Sequence, residues 1–222
     1  MRHSRFGGRR SALLAAALAT AAVCSTGAGT ASAKGLPDAE IFATNNTSII
    51  TDQADSRLGK RLVRFDRQVR RIIGYHGGRA RASQLLDGVF FSSALGTTTF
   101  ERSREFDVDA VSRRELHDIA ERVRRRFHQE SVLTFDYPER RRDPVDAVQV
   151  EVPGISVQRL RDRLLVDAEA RERLFGGSVT LDGRLILVAA LEDVGLVKRV
   201  VKDIGGDFDR ALIRLGKREF VG

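Results

Sequence analysis

The 222 residues suffice for one large core or two small ones, and 42% of them are hydrophobic. A formal charge of +8 comes from 38 basic against 30 acidic side chains, and 33 of the bases are arginine. The one cysteine, Cys24, excludes a disulfide within the chain and any cysteine-ligated metal cluster.

Residues 1–33 read as a secretory signal peptide. Arg2, Arg5, Arg9 and Arg10 precede an uncharged, alanine-rich stretch over residues 12–23, and Ala31-Ser32-Ala33 supplies a small-residue cleavage site. The apolar stretch is about half the ~20 residues that span a bilayer, and nothing later approaches that length. Arg9-Arg10 also fits a twin-arginine export signal. Val23 before Cys24 does not fit a lipid-attachment site, which takes a small residue there. The expected product is therefore secreted, begins near Lys34 and contains no cysteine. Its charge falls to +4, because residues 1–33 hold four arginines and no acids.

Periodicity then divides the chain into elements. A β-rich run over residues 41–51 is interrupted by Asn45-Asn46-Thr47-Ser48, a polar turn that also matches a glycosylation sequon. Leu58, Leu62, Phe65, Val69 and Ile72 mark one face of a helix of about four turns, stopped by Gly74, Gly77 and Gly78. Strands are expected over residues 85–91 and 100–109, the latter alternating Phe106 and Val108 with Glu105, Asp107 and Asp109. Ser112-x-x-Glu115 is a capping box that opens a second helix with Leu116, Ile119, Ala120, Val123 and Phe127 on its apolar face. A strand over 132–137 leads to a charged linker at 139–145.

The order then repeats. Val148, Val150 and Val152 mark a strand. A helix starts near Val157 and restarts at Asp167. Two strands, 179–181 and 185–191, are joined by Asp182-Gly183, a strong hairpin signal. Val194, Val197, Val200, Val201 and Ile204 mark a helix ended by Gly205-Gly206, and residues 211–221 close with strand. The expected fold class is α+β, two tandem ferredoxin-like β-α-β-β-α-β units at 40–138 and 146–222 after the signal peptide. Residues 185–191 are apolar on both faces, so something must cover the outer side of that sheet.

Glu101-Arg102-Ser103-Arg104 and the run from Phe127 through His128, Gln129, Glu130, Ser131 and Val132 to Leu133 resemble an uncharacterised family of short exported bacterial proteins. The resemblance covers about 35 residues of the first half. It implies export and a similar first-half fold, and no chemistry.

Three surfaces could bind. The strand over 100–109 puts Glu101, Ser103, Glu105, Asp107 and Asp109 on one side, and Asp136 could join them. Crowded carboxylates favour a cation, a basic partner or a retained proton. This makes Glu101, Glu105, Asp107 and Asp136 the candidate ligand-binding set on an open sheet face, with no metal assigned.

Arg57, Arg61, Arg64, Arg71 and Arg124 could form a basic surface for anionic envelope polymers. Nucleic acid is disfavoured by the acidic strand and by export. His117, Glu121, Arg124 and His128 share a helix face, but the two histidines stand about 16 Å apart and cannot hold one metal.

No catalytic motif or phosphate-cradling loop is present, and no cofactor is implied. The sequence therefore points to an exported binding or interaction module for an unknown small molecule or protein. A metal-assisted or acid-base enzyme on the acidic face, and a binder of anionic envelope polymers, are the alternatives.

Overall fold

The structure is a computed structural model that describes residues 37–138 and 144–222. The expected signal peptide at 1–33, its cleavage site and most of the charged linker lie outside the described residues.

Among the described residues thirteen helices and strands occur in the order expected from periodicity, with three short 3-10 turns added. The first half holds β1 (Ala39–Ala43), α1 (Val63–Tyr75), β2 (Arg79–Ser92), β3 (Thr97–Asp109), α2 (Arg113–Phe127) and β4 (Val132–Asp136). The second holds β5 (Ala147–Val152), α3 (Val157–Val166), α4 (Ala168–Arg173), β6 (Leu174–Thr180), β7 (Leu185–Ala190), α5 (Val194–Asp203) and β8 (Leu212–Val221).

The strands do not form two tandem ferredoxin-like units. They form one closed antiparallel barrel in the order β1-β3-β2-β6-β7-β5-β8-β4, with β4 returning to β1. Two seams between the halves close it. Leu86–Gly88 of β2 pairs with Ser178–Thr180 of β6, and Val132–Asp136 of β4 pairs with Lys217–Val221 of β8. The physical reason is the edge strand: β2, β4, β6 and β8 would each expose unpaired backbone groups in separate sheets, and closure removes every edge.

Closure also fixes what each side of each strand meets. The outer face carries two apolar cores. One packs Phe65, Val69, Ile119 and Val123 of α1 and α2 on Ile41, Phe106 and Val108, with Phe65 edge-on to Phe106 and Phe127. The other packs Leu160, Leu164, Val197 and Val200 of α3 and α5 on Val148, Val150, Leu185 and Leu187. This accounts for the doubly apolar β7: Leu185, Leu187 and Ala189 lie under helices, while Ile186 and Val188 face the lumen.

Local signals set the boundaries. Ser112 Oγ accepts from Glu115 N at 3.3 Å and Glu115 Oε2 accepts from Ser112 N at 2.7 Å, which forms the capping box. Gly183, at φ 81°, turns the β6–β7 hairpin. The first helix is shorter than its apolar stripe suggests. Leu62 adopts a left-handed φ of 51°, so Leu58 falls in a separate single turn, Ser56–Gly59. Among the described residues no helix is long and apolar enough to cross a membrane.

Candidate functional site

The acidic side of β3 faces the barrel lumen. The expected open sheet face does not exist in a closed barrel, so these acids meet other strands instead of water. Opposite residues on antiparallel strands share a face. The register therefore sets Glu40 beside Asp107, Gln84 beside Glu105, and Gly88 beside Glu101. At about 3.4 Å per residue, Glu101 lies about 14 Å along the strand from Glu105. One expected site thus becomes two, stacked along the lumen.

The first is a polar network. Glu40, fully buried, accepts from Tyr137 Oη at 2.7 Å, from Arg214 Nη1 at 2.8 Å and from Gln149 Nε2 at 2.9 Å. Arg214 also reaches Glu151 Oε1 at 3.1 Å, and Arg184 bonds Glu151 and donates to Gln84 Oε1 at 2.6 Å. Gln84 in turn donates to Glu105. Four carboxylates (Glu40, Glu105, Asp107 and Glu151) thus surround two guanidiniums. Burial raises the pKa of Glu40, Glu105 and Asp107, and the neighbouring Glu40 raises Glu105 further, well above the usual carboxylate range.

Glu40, Glu105 and Asp107 can each offer one oxygen within a 4.8 Å group, a spacing that a hard cation could bridge. Both oxygens of Glu40 already accept hydrogen bonds, however, and Glu105 holds Gln84. The arrangement reads as a cross-barrel brace in which Arg214 pairs with Glu40 and burial favours a retained proton on Glu105.

The second is a cavity of about 510 Å³ farther along the lumen. Phe42, Leu133, Phe175, Ile186, Val188 and Phe220 supply much of its apolar wall. Gly176 keeps that space open: a Cβ there would meet nothing nearer than Leu133 Cδ2 at 3.8 Å. Glu101 lines the same cavity. Withdrawal from water is the one cause acting on its carboxyl, and it lifts the pKa from 4.5 to about 7. Among the described residues no cation pairs with Glu101 and no donor reaches it. Gln129, also in the wall, accepts from Thr44 N at 3.0 Å through Oε1 and leaves Nε2 without a partner.

No protein-family model, curated protein or solved structure matches the chain significantly. Function must be argued from the site alone, and the resemblance drawn from Glu101–Arg104 and the 127–133 run contributes nothing to it.

The other expected residues separate. Asp136 points away from the lumen, because Phe135 and Tyr137 face inward, and it accepts from Arg113 Nε at 2.9 Å outside the barrel. Arg57 is held by Asp55, and Arg124 by Glu121 at 2.6 Å, while Arg61, Arg64 and Arg71 stay exposed. His117 Nδ1 lies 2.8 Å from Glu219 on the surface, and His128 takes a left-handed φ of 56° at the end of α2.

Sequence reasoning missed Glu40, Gln149, Glu151 and Arg214. Gln149 and Glu151 alternate with the valines of β5, and Glu40 with Ala39 and Ile41, so each carried the signal of the face opposite the helices. That signal does not say the face is enclosed.

Proposed function

We propose that the protein binds a small, largely apolar molecule inside its barrel, outside the cytoplasm as the N-terminal pattern implies. The supporting observation is Glu101: an unpartnered carboxyl in the wall of a cavity that is otherwise mainly hydrocarbon. Glu101 is half-buried and opens onto the cavity, and a carboxyl drawn away from bulk water without a hydrogen bond or counter-charge costs stability that packing alone gives little reason to bear. Ligand sites characteristically combine an apolar pocket of this size with a few convergent polar groups. The cross-barrel brace stiffens the adjoining lumen, and its Tyr137 shares one apolar cluster with Val188, Phe42, Leu133 and Phe175 of the cavity wall.

The test uses Nile red, a neutral dye that fluoresces in apolar surroundings. Wild-type protein is expected to enhance its emission saturably, with one site per chain. Gly176→Leu, which builds into the cavity, is expected to keep the far-UV spectrum and melting cooperativity and to lose that enhancement. Absence of saturable binding to the wild type, or undiminished binding to a folded Gly176→Leu protein, overturns the reading.

A further inference from the structure

The cavity wall is selective in charge as well as in polarity. The chain carries 38 basic side chains, yet among the described residues not one lysine or arginine lines the cavity. The charged or titratable groups that do line it are Glu101, Glu130 and His128, of which Glu130 and His128 are exposed. The Arg218 guanidinium, stacked on Phe175 of the wall, is a fixed positive charge beside the cavity but not in its lining, so a carboxylate or phosphate inside would face Glu101 directly. The lining therefore disfavours an acidic small molecule.

The aromatic wall points the same way. Phe42, Phe90, Phe100, Phe175 and Phe220 all contribute to the cavity. Phenyl faces carry negative electrostatic potential and attract cations, more strongly where water is excluded. Two of these rings already hold one: the Arg218 guanidinium lies 3.4 Å from the centroid of Phe175 and 5.9 Å from that of Phe220, outside the cavity lining. The unpartnered Glu101 oxygens supply the counter-charge that a buried ammonium requires.

We infer that the barrel cavity is a site for an organic cation: an apolar amine whose ammonium pairs with Glu101 and whose hydrocarbon lies against the phenylalanine wall. This inference rests on the proposed reading of the cavity as a ligand site. The unpartnered Nε2 of Gln129 offers a donor to an acceptor elsewhere on such a molecule.

Three probes with one skeleton and different heads test it by calorimetry at pH 8: 4-phenylbutylamine, 4-phenylbutan-1-ol and 4-phenylbutyric acid. The amine is expected to bind wild-type protein at least tenfold more tightly than the alcohol, and the acid more weakly than either. Glu101→Gln removes the charge, keeps the shape, and is expected to bring the amine down to the level of the alcohol while the alcohol changes less than threefold.

Proton bookkeeping gives an independent readout. Free Glu101 titrates near 7 and is ionised in the complex, so at pH 7 amine binding releases a fraction of a proton that Glu101→Gln does not release. An alcohol that binds the wild type as tightly as the amine overturns the inference, as does an amine preference that survives in Glu101→Gln. Failure of the ligand-site reading is separable: there Nile red does not bind either, whereas a dye-binding cavity without amine preference sinks the cation assignment alone.

Discussion

Arg214 and Glu40 stand 174 residues apart in sequence and meet at 2.8 Å inside the barrel. Glu40 lies on the first strand and Arg214 on the last, so the pair ties the two ends of the chain together across the lumen. Glu40 is fully buried, and among the described residues Arg214 is the one guanidinium that bonds it.

Removing Arg214 while leaving Glu40 strands a charge away from water. Losing one partner of a buried pair typically costs about 3–5 kcal/mol, mostly from the uncompensated survivor. Arg214→Met is expected to lower stability in urea unfolding at pH 8 by about that amount. Adding Glu40→Gln to it should recover more than half, because nothing charged is then left unpaired. A loss below about 1 kcal/mol for Arg214→Met would mean that Glu40 simply takes up a proton.

The same lumen gives stability an inverted dependence on pH. Glu101 and Glu105 have folded-state pKa values raised above the ordinary carboxyl value, Glu101 to about 7. The unfolded chain therefore releases these protons first, and the stabilisation present below about pH 4.5 is lost as pH rises through the folded values. Glu105→Gln is expected to leave the melting temperature unchanged at pH 4 and to raise it at pH 8. Glu101→Gln should act in the same direction, by about 1–3 kcal/mol at pH 8, since one pKa unit is worth about 1.4 kcal/mol.

Dialysis against EDTA separates protons from metal at Glu40, Glu105 and Asp107. If retained protons relieve the crowding of these carboxylates, chelation leaves the wild-type melting curve unchanged at pH 8. A fall on chelation that Ca²⁺, Mg²⁺ or Mn²⁺ restores, together with loss of stability in Glu105→Gln, would show that their oxygens hold a cation.

Much of the local structure was legible in the sequence, because it depends on neighbours in the chain. The Ser112/Glu115 capping box, the Asp182-Gly183 turn and the alternation of β3 all follow from short-range geometry. Barrel closure was not legible. Alternation says which residues share a face and nothing about what lies opposite, so Glu105 in a sealed lumen reads like Glu105 in water. The seams depend on pairings such as Leu86 with Thr180, between positions nearly a hundred residues apart and with no local signature. Parity misplaced Asp136: Phe135 and Tyr137 fill the lumen, so the residue between them points out. The β-rich pattern begins at Ile41, one residue past Glu40, so Glu40 falls outside it.

The sharpest test of the lumen packing is a single methyl group. A Cβ built on Gly216 of β8 would come 2.1 Å from Cε1 of Phe135 and 2.7 Å from the carbonyl oxygen of Asp136, on the adjoining β4. The first clash is with a ring that is itself fully buried, so it cannot swing into solvent. The second is with a backbone atom of the seam that closes the barrel. Overpacking of this kind typically costs about 1–3 kcal/mol when side chains can adjust, and more where backbone must move. Gly216→Ala is therefore expected to cost about 3 kcal/mol or more in urea unfolding. Phe135→Leu alone opens space and should cost about 1–2 kcal/mol. In the double variant the shorter side chain relieves the ring clash and leaves the carbonyl clash, so the pair should lose less than the sum of the single losses, by about 1 kcal/mol or more. Strict additivity would mean that the seam carbonyl, and not the Phe135 ring, sets the requirement for glycine at position 216.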